Sequence, residues 1–165
     1  MMSVVAENRE RAERLVALLQ SRGLTIAAAE SCTGGSLAAA ITSVPGCSSV
    51  MLGGVVAYHN SVKAKVLGVR EETLAVHGAV SEPVVRQMAL GVSALTGADC
   101  AVATSGIAGP GGGTADKPGG TFWVALKVAD RVQTRLLRLG DNGRDANIDN
   151  CVNEVLGLLC EMLEL

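Results

Sequence analysis

The chain has 165 residues, of which 48% are hydrophobic and 18% are charged, and its formal net charge at pH 7 is -2. A chain of this length and composition can bury one sizeable core, so we expect a single domain over residues 1–165. The balanced charge excludes a basic surface for nucleic acid, and one Phe, one Trp and one Tyr are too few for a base-stacking platform.

The five cysteines form no CxxC pair and lie mostly in apolar runs. We therefore predict reduced core thiols, with no metal site and no disulfide. No segment has the pattern of a signal peptide or the length of a membrane span. These features favour a cytoplasmic protein without membrane contacts.

The first half of the chain alternates predicted helices and strands. In chain order these are a helix over residues 7–22, a strand over 24–29, a helix over 36–42, a strand over 51–58, a short helix carrying Lys63, and a helix over 71–76. Asn60 or Ser61 is expected to cap the helix that carries Lys63. The pair Gly53-Gly54 favours a bulge or a close backbone contact within the second strand.

The second half continues with a helix from residue 82 to about 95, with Ser81 as N-cap and Pro83 in its first turn. A third strand over 99–105, a hairpin of strands over 121–128 and 132–139, and a final helix over 145–162 follow. Helices separated by strands, with one late hairpin, predict a three-layer α/β/α domain around a mixed, mostly parallel sheet.

The stretch TIAAAESCTGG, residues 25–35, is typical of a buried strand, a tight turn and a helix start. Ser31 on this turn would face a crevice at the carboxyl end of the strand, beside free backbone N–H groups. Two further segments rich in glycine or hydroxyl groups, 58–63 and 105–120, also follow apolar strands. If the strands run parallel, the three segments converge on a pocket suited to a phosphorylated ligand, although turn geometry alone also explains such glycines.

Neither a P-loop nor a dinucleotide-binding fingerprint is present. Instead, several blocks in order resemble the CinA carboxy-terminal domain family over roughly residues 7–160: AESCTGG, PGCSS, VVAYHNSVKAKVLGV, GAVSEPVV, TSGIAGPGGGTADKPGGT and the pair Gly143-Arg144. The resemblance implies a fold similar to anticodon-binding-like α/β/α domains and self-association, with a dimer favoured. It also implies hydrolysis of the carboxamide of nicotinamide mononucleotide to nicotinate mononucleotide and ammonia, without metal or cofactor, in pyridine-nucleotide recycling.

Matched onto this chain, the family pattern implies Ser31 as the nucleophile, Lys63 as its base and Tyr58 beside the base. A serine needs an adjacent proton acceptor, and lysine serves only when burial keeps it neutral, which a hydrogen bond from Tyr58 would help. The backbone N–H groups of Thr33, Gly34 and Gly35 are candidates for stabilising the oxyanion. The expected substrate-binding set is Glu30, Thr33, Gly34, Gly35, Ser48, Asn60, Ser105, Gly106, Gly109 and Arg144, with Arg144 as the phosphate partner.

Several alternatives stay open. Cys32 is the rival nucleophile, His59 and His77 are rival bases or metal ligands, and Glu30 could instead cap a turn or orient Lys63. A non-catalytic nucleotide sensor would use the same pocket, and another nucleotide-linked amide would fit the same chemistry. One departure from the family stands out, because many members carry a second arginine about four residues after Arg144, where this chain has Ile148. That difference predicts weaker binding or another nucleotide if the second arginine contacts substrate.

Overall fold

The computed structural model describes residues 1–165 and contains six α-helices, one short 3-10 helix and five strands. In chain order these are α1 (Val4–Arg22), β1 (Ile26–Glu30), α2 (Ser36–Thr42), the 3-10 helix (Cys47–Ser49), β2 (Met51–Val56), α3 (Asn60–Leu67), α4 (Glu71–His77), α5 (Glu82–Thr96), β3 (Cys100–Ile107), β4 (Thr121–Val128), β5 (Arg131–Arg138) and α6 (Arg144–Glu164). The predicted helices and strands are confirmed, with ends shifted by a few residues. None of the helices combines the length and the apolar character needed to cross a membrane.

The five strands form one sheet in the order β2-β1-β3-β4-β5. Strand β1 pairs in parallel with β2 and β3, whereas β4 is antiparallel to both β3 and β5. Four strands therefore run in one direction and β4 runs against them, which confirms the mixed sheet. The carboxyl ends of β1, β2 and β3 consequently lie at the same edge.

Helices cover both faces of the sheet, which confirms the three layers. Alternate residues of β1 enter different cores: Ile26 and Ala28 pack with α1, α2 and α6, whereas Ala27 and Ala29 pack with α3 and α5. The α5 side of the sheet is lined largely by alanines: Ala27, Ala29, Ala101, Ala103 and Ala125. Small side chains allow α5 to lie close against the strands.

The glycine pair in β2 has both of the predicted roles. The register between β1 and β2 shifts after Ile26, so Leu52 is the extra residue of a bulge beside Gly53. A Cβ atom on Gly54 would lie 2.7 Å from the carbonyl oxygen of Ala28, so only glycine permits this strand separation.

Two expected helix caps differ in the structure. The N-cap of α3 is His59, whose Nδ1 accepts a hydrogen bond from the Ser61 amide at 3.1 Å, rather than Asn60 or Ser61. Ser81 is the N-cap residue of α5, but its hydroxyl donates to the Gly78 carbonyl at 2.7 Å instead of accepting from the helix.

Candidate active site

The three segments that follow β1, β2 and β3 meet at one edge of the sheet, because these strands are parallel. Their convergence, which the sequence predicted only on that condition, is therefore confirmed. The side chains there form two linked groups, Ser31 with Lys63, and Tyr58 with Arg144.

Lys63 is the centre of the first group. Its side chain projects from α3 into the protein, and the residue is only 1% exposed. The Nζ atom lies 3.1 Å from Ser31 Oγ, 2.8 Å from the Ala57 carbonyl oxygen and 2.9 Å from the Tyr58 carbonyl oxygen. These three partners account for every hydrogen-bonding position of an amine nitrogen.

Burial lowers the pKa of Lys63 below the ordinary lysine value of 10.5, and the neighbouring Cys32 opposes that shift. In the neutral amine, the two carbonyl oxygens can only accept, so they take both N–H groups. The remaining lone pair then faces the Ser31 hydroxyl, which donates to it. The arrangement can therefore withdraw a proton from Ser31.

Tyr58 contacts Lys63 through its backbone rather than through its hydroxyl, contrary to the expected hydrogen bond from the phenol. The Tyr58 carbonyl accepts from Lys63, while the hydroxyl accepts from Arg144 Nη2 at 2.9 Å. The side chain lies outside the core, with 60% of its surface exposed. The phenol therefore belongs to the rim of the site.

The turn after β1 places Ser31 between the sheet and α2. The Ser31 amide donates to the Thr104 carbonyl of β3 at 3.1 Å, which extends the pairing of β1 with β3. Positive φ angles at Gly34 and Gly35 then reverse the chain into α2. The Gly34 amide donates back to the Ser31 carbonyl at 3.1 Å and is not available to an oxyanion, whereas the Gly35 amide has no acceptor within the chain and the Thr33 amide has only the Cys32 thiol, a weak acceptor.

A cavity of about 310 Å³ opens beside this turn. Its lining consists of Cys32, Tyr58, Arg144 and residues 106–112. Arg144 crosses the rim, where Nη1 donates to the Gly109 carbonyl at 3.1 Å. The guanidinium has only neutral partners, because no carboxylate lies within ion-pairing distance.

The other predicted binding residues have different surroundings. Ser105 donates its hydroxyl to the Ala79 carbonyl at 2.8 Å and is buried. Asn60 borders a separate surface depression with Ala64 and Glu71. Ser48 lies in the 3-10 helix before β2, near the amino ends of β1 and β2. Ser31 follows the carboxyl end of β1, so the length of five strand residues, roughly 16 Å, separates the two serines.

Glu30 likewise lies away from the cavity lining. The residue is 1% exposed, and its carboxylate caps the start of α2 by accepting from the amides of Leu37 at 2.9 Å and Ala38 at 3.0 Å. Of the alternatives for this residue, the structure favours a capping role. Ile148 of α6, at the position of the expected second arginine, is partly buried and packs against the core that α1 and α6 form with the sheet.

The rival nucleophile and bases have other roles in the structure. Burial raises the pKa of Cys32 to about 12, so this thiol stays protonated at neutral pH and is a poor nucleophile. The His59 side chain caps α3 and His77 ends α4, and neither residue lines the cavity. No group of three or more His, Cys, Asp or Glu side chains is close enough together to hold a metal ion.

Sequence reasoning missed the residues that hold the cavity wall. The buried Asn147 donates to the carbonyls of Ala108 and Gly140, both at 3.0 Å, and Lys117 Nζ donates to the Val80 carbonyl at 2.6 Å. Asn147 follows Arg144 at helical spacing, which is a weak signal that both face the same loop. The carbonyl acceptors of Lys63 leave no signal, since every residue has one.

A family model described as the CinA C-terminal domain matches residues 8–163. Among curated relatives, a CinA-like protein from Thermotoga maritima is 50% identical over 135 residues, which are 81% of this chain and 33% of that protein. The nicotinamide-nucleotide amidohydrolase PncC of Shewanella oneidensis is 47% identical over 144 residues, which are 87% of this chain and 34% of that protein. The chain thus spans about a third of the length of these curated relatives.

Solved structures resemble the chain over nearly its full length. The competence/damage inducible protein CihA from Agrobacterium tumefaciens superposes with a TM-score of 0.93 and 41% identity, covering 96% of both chains. The competence damage-inducible protein A from Klebsiella pneumoniae has a TM-score of 0.92 and 39% identity, covering 95% of this chain and 97% of that one.

Proposed function

The chain belongs to the CinA C-terminal domain family, and on this basis we propose that it hydrolyses the carboxamide of nicotinamide mononucleotide to nicotinate mononucleotide and ammonia. One observation carries the proposal: the buried Lys63 Nζ lies 3.1 Å from Ser31 Oγ, and its other two partners are carbonyl oxygens. The relative named as a nicotinamide-nucleotide amidohydrolase supports the choice of substrate.

Acylation begins when neutral Lys63 accepts the proton of Ser31 as Oγ attacks the carboxamide carbon. The negative charge that develops on the amide oxygen is stabilised by the free N–H group of Gly35 and by that of Thr33, which exchanges the weak Cys32 thiol acceptor for the oxyanion; each such donor is worth about 3 kcal/mol in comparable hydrolases. Protonated Lys63 then donates its proton to the amide nitrogen. The carbon–nitrogen bond breaks, ammonia leaves, and an ester to Ser31 remains.

Deacylation repeats these steps with water as the nucleophile. Lys63 takes a proton from water, and the hydroxide attacks the ester carbon. The carbon–oxygen bond to Ser31 breaks as Oγ recovers a proton from Lys63. The product is the carboxylic acid, which releases its proton to solvent, and the Ser31–Lys63 pair is restored.

Arg144 is the candidate partner of the substrate phosphate. It lies in the first turn of α6, where the helix dipole disfavours a cation, and it has no carboxylate partner. A phosphate at the cavity rim would supply the missing negative charge and accept from both guanidinium nitrogens. Self-association as a dimer and a cytoplasmic location remain predictions.

The test is ammonia release by the purified protein incubated separately with nicotinamide mononucleotide, nicotinamide and NAD. We expect release from the mononucleotide alone, abolished in Ser31→Ala and Lys63→Met. Lys65→Met is the matched control, because Lys65 is an exposed lysine of the same helix and should be dispensable.

Three other results would contradict the proposal. Binding of the mononucleotide without turnover would indicate a sensor. Turnover of another nucleotide-linked amide in preference to the mononucleotide would change the substrate. Substantial activity in Ser31→Ala would remove Ser31 from the mechanism.

A further inference from the structure

The carboxylate of Glu30 lies beneath the turn that carries Ser31, and the proposed reaction does not use it. It accepts three hydrogen bonds: Oε1 accepts from Thr33 Oγ1 at 2.6 Å and the Leu37 amide at 2.9 Å, and Oε2 accepts from the Ala38 amide at 3.0 Å. All its donors come from residues that follow Ser31. The carboxylate therefore ties the end of β1 to the first turn of α2 across the Ser31 turn.

Thr33 extends this contact to a second strand. Its Oγ1 also lies 2.7 Å from Thr104 Oγ1 of β3, and both threonines are buried, at 2% and 0% exposure. The carboxylate oxygen can only accept, so Thr33 must donate its single hydroxyl hydrogen to Glu30. The 2.7 Å contact is then a hydrogen bond donated by Thr104, whose other acceptor is the weaker Cys32 thiol, and this gives a directed chain from Thr104 through Thr33 to Glu30.

Backbone hydrogen bonds hold the turn on the side of the strands. The Ser31 amide donates to the Thr104 carbonyl, and the Ala57 amide donates to the Glu30 carbonyl at 2.7 Å. These bonds fix where Ser31 leaves the sheet. Residues 33–35 form backbone hydrogen bonds only with Ser31 and with the start of α2, and their only side-chain link to the sheet is the Thr33 hydroxyl.

We propose that Glu30, Thr33 and Thr104 form a positioning bracket that holds the Ser31 turn in its reactive geometry. The bracket keeps Ser31 Oγ within 3.1 Å of Lys63 Nζ and holds the turn so that the Gly35 amide has no acceptor and the Thr33 amide has only the weak thiol acceptor of Cys32. Its members act through the turn, because none of their side chains bonds to Ser31 or Lys63. The inference rests on the proposed function, and it replaces the expected contact of Glu30 with substrate.

The direct test is Thr33→Val, which keeps the shape of the side chain and removes the hydroxyl. We expect kcat for ammonia release to fall at least tenfold, with KM changed less than twofold. The pH midpoint of kcat should stay constant, because the surroundings of Lys63 are untouched. Thr33→Ser restores the hydroxyl and should recover most of the rate.

Non-additivity provides the second measurement. Because Thr104 acts through Thr33, the double variant Thr33→Val, Thr104→Val should lose little more activity than Thr33→Val alone. Assays are run under conditions in which circular dichroism shows that every variant is folded. A purely structural role would lower the unfolding midpoint of Thr33→Val and leave the kcat of the folded fraction unchanged, which would overturn the proposal.

A readout independent of the nicotinamide substrate separates the two hypotheses. A small fluorophosphonate, which modifies activated serines, is followed by intact mass, with Ser31→Ala as the blank. Slower modification of Thr33→Val than of wild type, by tenfold or more, would support the bracket even if the mononucleotide proved inert. Equal rates, or no modification of Ser31 in the wild-type protein, would overturn it.

Discussion

Replacing Gly91 of α5 with alanine should disturb the pairing of Ser31 with Lys63 without altering either residue. Gly91 packs directly on the last turn of α3, where an added Cβ would overlap the Leu67 carbonyl oxygen and lie 2.8 Å from its carbonyl carbon. Backbone atoms cannot rotate aside, so α3 and α5 must separate by roughly 1 Å. Lys63 lies one turn before Leu67 and moves with the helix.

The expected magnitudes follow from this overlap. Overpacking costs about 1 to 3 kcal/mol, and replacing a helical glycine with alanine returns about 1 kcal/mol, so urea unfolding should show a net loss of up to about 2 kcal/mol. Misplacement by about 1 Å can slow catalysis by as much as ~100-fold, so ammonia release should fall by at least about tenfold. Both quantities are measured on the same preparation.

Gly157→Ala is the matched control, because Gly157 is also a helical glycine with a close neighbour. Its added methyl group would meet only the guanidinium of Arg11, the end of a long side chain that donates to the Asn153 carbonyl at 2.8 Å and can turn aside if that one hydrogen bond breaks. This variant should therefore keep its activity and change little in stability, because the helix-propensity gain of about 1 kcal/mol offsets the lost hydrogen bond, also worth about 1 kcal/mol. If Gly91→Ala were as stable and as active as Gly157→Ala, the coupling of α5 to Lys63 through α3 would be refuted.

Three further predictions concern charge and ionisation. The wild-type kcat should rise with pH through one ionisation below pH 10.5, because only neutral Lys63 accepts the Ser31 proton. A Lys63→Met variant with a normal rate and pH profile would rule out Lys63 as the base. Arg144→Gln should raise KM for nicotinamide mononucleotide by about tenfold to a hundredfold, because a charge-assisted hydrogen bond to the phosphate is lost, and should leave KM for the unphosphorylated riboside unchanged. Equal increases for both substrates would contradict the phosphate assignment. Burial raises the pKa of Cys160 to about 11, above the ordinary 9.0, so the folded chain keeps a proton that the unfolded chain releases. The unfolding free energy should accordingly fall above about pH 9, by up to ~1.4 kcal/mol per pH unit for each such thiol, and Cys160→Ala should decline less steeply; an unchanged slope would contradict this reasoning.

The layered fold was predictable because its signals are local. Apolar residues at helical or strand spacing located all six helices and all five strands, and Gly53-Gly54 marked the bulge and the close approach in β2. The convergence of three segments needed one further condition, the parallel pairing of β1 with β2 and β3. Sequence spacing alone does not decide that pairing, since it depends on how the crossovers pack.

For the candidate site, the sequence determined which residues have the required chemistry, and the tertiary structure decided which of them meet. Ser31 and Lys63 are in contact, as the family resemblance implied, whereas Ser48 lies at the opposite end of the sheet. The Tyr58 hydroxyl bonds to Arg144, which is 86 residues away along the chain, while the Tyr58 carbonyl bonds to Lys63. A residue's type sets how many hydrogen bonds it can donate and accept. Its partners depend on where the folded backbone points each group, and here that direction makes the carbonyls of Ala57 and Tyr58 the acceptors that orient the Lys63 lone pair toward Ser31.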